Sequence, residues 1–287
     1  MAIQADKLPL RVTSMLETHA HQASGLLELN ARRGPRMLTV VSHGDEQSEL
    51  PLLWHLCLAL VNFGYSVTVL DATSSETPGN PGLAELLDSV HWRDDAIHGG
   101  PAWTVLPAAK GVARLSNSQF PPLQALQQLG NLFSEDGVVV LYSNVEWMIP
   151  LVGSCQTQPL LAVSEVRDSL LTSYLALKRL LILGKLRPTI VNMMKDKGPV
   201  SNNVSLPTPS SLSICAKRFL GYDVSPLNIS EQQEDAIDGS DIQRLALKLL
   251  EGAILLGPDQ SPIDMQIHYS QSHLENLGRV DHFAGSH

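Results

Sequence analysis

The chain alternates, over most of its length, between short β-rich apolar runs and longer segments with helical spacing. That alternation restricts its fold more than any other feature. Met37-Leu38-Thr39-Val40-Val41 is a run with almost no polar alternation, as expected of a strand buried on both faces. A loop from Ser42 to Leu50 is predicted next, then a helix from Pro51, with Leu52, Leu53, Leu56 and Leu60 at helical spacing and Gly64 at its end. Further strands are predicted at Ser66–Leu70, Trp103–Leu106, Val138–Leu141, Leu160–Val163 and Thr189–Met193, with a last one near Val224. Between them lie predicted helices at Leu83–Leu87, Pro122–Phe133, Ser169–Leu183 and Leu212–Leu220, and finally Ile242–Leu256. Strand and helix in this order imply a doubly wound α/β domain, a mainly parallel sheet with helices on both faces.

Two flanks do not fit the alternation. In residues 1–35, Met15, Leu16, His19, Gln22, Ala23, Leu26, Leu27 and Leu29 recur at helical spacing. Ser14 and Glu17 form a capping box ahead of them, and Arg32-Arg33-Gly34-Pro35 ends the helix. Residues 257–287 form a polar tail, and 36–256 are the α/β domain. Pro199–Ser213 reads as a Ser/Asn/Pro-rich loop.

Composition narrows the function. Apolar residues are 44% and charged residues 17% of the 287, enough for a large core and too apolar for a disordered chain. The net charge of −9 argues against direct nucleic-acid binding. No apolar run is long enough to span a bilayer, and no basic segment followed by an apolar stretch opens the sequence. Cys57, Cys155 and Cys215 are widely spaced and odd in number, which fits free thiols in a cytoplasmic protein rather than a disulfide framework or a zinc site.

The segment MLTVVSHGDEQSELPLLWHLCLALVNFGYSVTVLDAT resembles the opening of MinD/ParA-type deviant Walker ATPases: strand, loop, helix ending in Gly, strand ending in Asp-Ala. TVLPAAKG, LAVSEVRDSLLTSYLALKRLL, TIVNMM and CAKRFLGYDVSPLNIS resemble later segments of that family in the same order, over roughly residues 36 to 256. His21-Gln22-Ala23-Ser24-Gly25-Leu26-Leu27 is similar to the Asp-Gln-Ala-x-x-Leu-Arg motif of the FlhG branch, called FleN in some bacteria. That branch regulates flagellar number and placement. Gln22, Ala23 and Leu26 match the motif; His21 and Leu27 depart from it. The same segment reads equally as an amphipathic helix docked on its own domain.

The resemblance implies a phosphate-binding loop with a lysine at each end and a Thr for magnesium. Counted back without gaps from the second strand, the first lysine falls on Gly44 and the paired glycines on Asp45 and Glu46. The third glycine falls on Ser48, the second lysine on Glu49 and the Thr on Leu50. Like charges about 4 Å apart repel by about 4 kcal/mol at an effective dielectric near 20, so these carboxylates oppose a triphosphate. Asp71 is retained at the end of the second strand, but Thr73 stands where the family has a second Asp. Tyr142 replaces the family's metal-sensing carboxylate, and Asn192 matches its adenine-side Asn. Asp45, Glu46, Glu49 and Asp71 could alternatively gather a hard cation, although a solvated surface loop fits them better. Ser42-His43 beside Asp45 is a poor candidate for nucleophilic catalysis, since no G-x-S-x-G turn is present.

The resemblance therefore implies a degenerate nucleotide site, with no catalytic residue, no metal and no cofactor. ATP and magnesium are expected only if an unusual but active ATPase is the true reading. It implies protein partners, such as the GTPase FlhF, a flagellar transcription activator or basal-body components. A MinD-like accessory of cellulose secretion or pilus assembly is a further alternative. A membrane-targeting tail would be basic and amphipathic; Gln266–His287 carries one fixed cation, Arg279, which argues against membrane association.

Overall fold

Seven parallel strands and one short antiparallel strand form a single sheet, in a computed structural model that describes residues 34–89, 103–117, 121–164, 166–194, 208–230 and 241–257. The strands are β1 (Arg36–Val41), β2 (Ser66–Asp71), β3 (Trp103–Pro107), β4 (Gly137–Ser143), β5 (Leu160–Val163), β6 (Thr189–Met194), β7 (Leu227–Ser230) and β8 (Ile254–Leu255). Their order across the sheet is β3-β2-β4-β1-β5-β6-β7. β8 runs antiparallel to β1, pairing Arg36 with Leu255 and Met37 with Ile254. The predicted N-terminal helix and the polar tail lie outside the described residues.

Alternation along each strand divides the core into two layers. Leu38, Val40, Val67, Val69, Val138 and Val140 point to a face covered by α1 (Glu46–Asn62), through Leu52, Leu56 and Leu60, and by α8 (Asp241–Glu251), through Leu245 and Leu249. Met37, Val41, Val139, Leu141, Leu161 and Val163 point the other way. There they meet α2 (Leu83–Asp88), α3 (Ala109–Ser116), α4 (Pro122–Gly130), α5 (Val145–Val152), α6 (Arg167–Ile182) and α7 (Thr208–Cys215). Both sides of β4 are covered and all seven of its residues are buried, so its run of valines needs no polar alternation.

The structure corrects several sequence expectations. α1 starts at Glu46 rather than Pro51, because the Asp45 carbonyl accepts the N–H groups of Ser48 and Glu49, both at 3.0 Å. The first turn is thus wound before Pro51 is reached. α3 and α5 were not predicted from periodicity. α5 is apolar nearly all round; its signal is Asn144, whose side chain accepts the Trp147 N–H at 3.1 Å. α4 stops at Gly130, since Leu132 and Phe133 turn back to Leu129 and Gly130 in a tighter, three-residue pattern. The expected loop at 199–213 gives way to helix from Thr208, which continues through a π-helical turn at Ala216–Leu220. The last parallel strand is at Leu227–Ser230, not near Val224: Gly221, at φ +63°, ends the helix, and Pro226 has no N–H for a ladder. The final helix ends at Glu251, and Ile254–Leu255 leave it to pair with β1.

One buried carboxylate organises the loop after β2. Glu76 accepts the N–H groups of Lys110 (2.7 Å), Gly111 (2.9 Å) and Ala84 (3.3 Å), at the starts of α3 and α2. Burial alone would raise its pKa, but these donors outweigh burial and hold it below 4.5. Gly82 and Gly111 let these helices come together. A Cβ on Gly82 would lie 2.0 Å from the Pro107 carbonyl, and one on Gly111 2.6 Å from Leu83 Cγ. We expect Glu76→Ala to lose about 2–3 kcal/mol in urea unfolding at neutral pH, because it leaves buried donors unmatched. Since the folded pKa is depressed, the contribution is complete above about pH 4.5 and disappears as pH falls through the folded value. The gap between wild type and variant should close over that acid window.

Candidate functional site

β1 is flanked by β4 and β5, and the chain leaves it toward β2, beyond β4. The C-terminal end of β1 is therefore the switch point of the sheet, the usual ligand crevice in this class of fold. The loop Ser42–Asp45 occupies this point. Its Ser42 N–H donates to the Ser143 carbonyl at 2.8 Å. Gly44 is exposed at φ +92°, so a lysine at the position where the resemblance puts one would strain the backbone.

The centre of the site is Glu49, whose side chain has no exposed surface. The N–H groups of His43 and Asp45 both donate to its Oε1 at 2.9 Å. The Tyr142 hydroxyl, on β4, donates to Oε2. The His43 ring reaches the same carboxylate, with Nε2 3.5 Å from Oε1. That nitrogen also faces the Ala162 carbonyl at 2.8 Å, so it faces two acceptors and carries a proton. Nδ1 lies 2.8 Å from Thr172 Oγ1, on α6. The Tyr142 hydroxyl is pushed to a higher pKa by burial and by the carboxylate beside it.

Asp45 forms a second buried carboxylate next to the first. Ser48 Oγ donates to its Oδ2 at 2.8 Å. Burial raises its pKa, but hydroxyls of Ser169, Ser164 and Ser48, with the His43 ring, hold it below 3.8. The expectation of a solvated acidic loop is thus wrong for Asp45 and Glu49, which turn inward, and right for Glu46, which stays exposed. Leu50, at the position where the resemblance puts a magnesium ligand, is exposed, while Ser48 is wholly buried.

The other predicted residues are nearby but separately satisfied. Asp71 accepts from the Thr73 N–H and hydroxyl through Oδ1 and from the Ser74 hydroxyl through Oδ2, at 2.9, 2.6 and 2.5 Å, closing its own turn. Asn192 is buried on β6 and donates through Nδ2 to Asn228 Oδ1 at 3.0 Å, while its own Oδ1 has no partner. Gln22, Ala23 and Leu26 lie outside the described residues. Among the described residues, no group of three or more His, Cys, Asp or Glu side chains is placed to hold a metal ion. The segment Ser42–Leu50 holds neither Lys nor Arg, and the N–H groups of Ser42, His43, Asp45, Ser48 and Glu49 are all taken within the chain. Sequence reasoning missed Ser164, Ser169 and Thr172. They lie more than a hundred residues from Asp45, and nothing local in the sequence marks them.

Comparison with known proteins returns structures rather than families. No family model matches the chain, and no curated protein matches it. Among solved structures, it is similar to the ATP complex of a Cyanothece McdA variant, at 17% identity and a TM-score of 0.47, covering 86% of this chain and 97% of that one. It is similar to a plasmid partition protein from Borrelia burgdorferi, at 14% identity and a TM-score of 0.46, over 76% and 97% of the two chains. It is also similar to the cell division protein MinD of Aquifex aeolicus, at 13% identity and a TM-score of 0.44, over 76% and 98%.

Asp45→Asn keeps the shape of the side chain and removes the charge that the hydroxyls answer. We expect a loss of about 1–3 kcal/mol in denaturant midpoint measurements at pH 7.

Proposed function

We propose that the chain is a non-catalytic regulatory protein of the MinD/FlhG type, acting in the cytoplasm on flagellar number, placement or biosynthesis through partner binding. The single observation that carries the loss of catalysis is Glu49. A carboxylate stands at the position where the resemblance puts a lysine, and it takes the loop N–H groups a phosphate would need. Lysine and magnesium carry most of the charge stabilisation in P-loop phosphoryl transfer, and here Glu49 and Leu50 stand in their places. What remains is a surface for partners. The Gln22, Ala23 and Leu26 motif supports an FlhF-like GTPase as the first of these, with a flagellar transcription activator as the second. Docking of a short helix by two apolar groups and one amide needs no nucleotide on this chain.

A second reading keeps a working ATPase of the MinD/ParA class, in polar placement or in the assembly of a secretion machine. It is favoured by the unpartnered Asn192 Oδ1, an acceptor suited to the amino group of adenine. Turnover with ATP and magnesium separates the two. The expected result is no phosphate release above a protein-free control and no change of mass in light scattering when ATP is added. Saturable hydrolysis that Asp71→Ala abolishes would decide for the ATPase. For the partner, the full chain added to an FlhF-like GTPase should raise GTP hydrolysis, and Gln22→Ala should remove the increase.

A further inference from the structure

Three donors, from the β1–α1 loop and from β4, point at the Glu49 carboxylate. Two are backbone N–H groups, from His43 and Asp45, bracketing left-handed Gly44. Successive amides around a left-handed residue form a concave nest that suits an anion. The third donor is the Tyr142 hydroxyl, from a strand 93 residues away in sequence. The His43 ring closes the remaining side, pinned at one nitrogen by Ala162 and at the other by Thr172. Such a seat is built for an oxyanion, and the oxyanion present belongs to the chain.

We infer that Glu49 is a built-in ligand: its carboxylate fills the anion seat of the β1–α1 loop and holds that loop closed without any phosphate compound. The inference rests on reading this loop as a nucleotide loop that no longer takes nucleotide. It adds that the seat persists and that its occupant has changed from a free anion to a tethered one. The tethered group is ordered by α1 when the domain folds, so a free anion competes with a partner already in place. Emptying the seat then creates a site for small oxyanions. Acetate reproduces the missing carboxylate, and inorganic phosphate probes whether the older type of occupant still fits beside Asp45.

The experiment follows thermal unfolding of the full-length protein and of Glu49→Ala in sodium acetate, sodium phosphate and sodium chloride at matched ionic strength. The variant should melt at least about 5 °C below wild type in chloride. Acetate should return at least half of that loss in the variant and leave wild type as it is in chloride. Equal melting of variant and wild type, or equal effects of acetate and chloride on the variant, overturns the inference. Should the variant fail to fold, hydrogen exchange on wild type decides. The amides of His43 and Asp45 should exchange as slowly as those of β1, and exchange at the rate of open loops overturns the seat. MgATP binding by wild type would overturn the functional reading, whereas failed acetate rescue removes only the built-in ligand.

Discussion

A carboxylate with no exposed surface has to find its donors inside the protein, and the upper end of this sheet is arranged around that requirement. Glu49 stands in the first turn of α1, where the helix dipole favours negative charge. It takes two amides from the loop that precedes it, so strand, loop and helix are tied at one oxygen. Its second oxygen fixes Tyr142, and through it the end of β4. His43 carries the same constraint across to β5 and α6. Removing that one side chain takes the acceptor from the His43 and Asp45 amides and from the Tyr142 hydroxyl, all in or near the interior.

The sheet beneath makes this polar cluster affordable in energetic terms. Both of its faces are covered, by α1 and α8 on one side and by the remaining helices on the other. The strands below the cluster contribute mainly apolar contacts, with Thr39 on β1 and Asn192 on β6 as buried polar exceptions. Glu76 repeats the device on a smaller scale: one buried carboxylate holds the first turns of two helices against the loop after β2. Among the described residues, Glu49 and Glu76 thus gather backbone amides near the starts of helices, while Asp45 gathers serine hydroxyls.

The layered architecture was legible because it is written in hydrophobic period. Val138–Leu141 and Leu160–Val163, short apolar runs set between helical segments, read as buried strands, and the observed sheet contains both. Elements without contrast were not legible. α5 is apolar nearly all round, so it has no stripe to detect, and β8 is only two residues long. Pro51 misled in a different way, since a proline suited to a helix start sits well inside α1. For the candidate site, the sequence singles out Asp45, Glu46 and Glu49 but not the direction in which each side chain turns. Asp45, Glu46 and Glu49 look alike in the chain. Which of them turns inward depends on Tyr142 on β4, Ser164 just after β5 and Ser169 on α6, all distant in the chain.

The ends of the folded domain carry a last consequence. Gly34 and Gly257 pack against each other, the Leu256 N–H donates to the Pro35 carbonyl at 2.8 Å, and β1 and β8 run antiparallel beside them. Both ends of the domain thus leave from one point at the base of the sheet, opposite the loop that holds Glu49. A tension applied between them would load the β1–β8 bonds one at a time, in the manner of a zipper, rather than all together in shear. That pairing covers only two residues of each strand, whereas β1 and β4 are paired along six, so the short one opens first under such a pull.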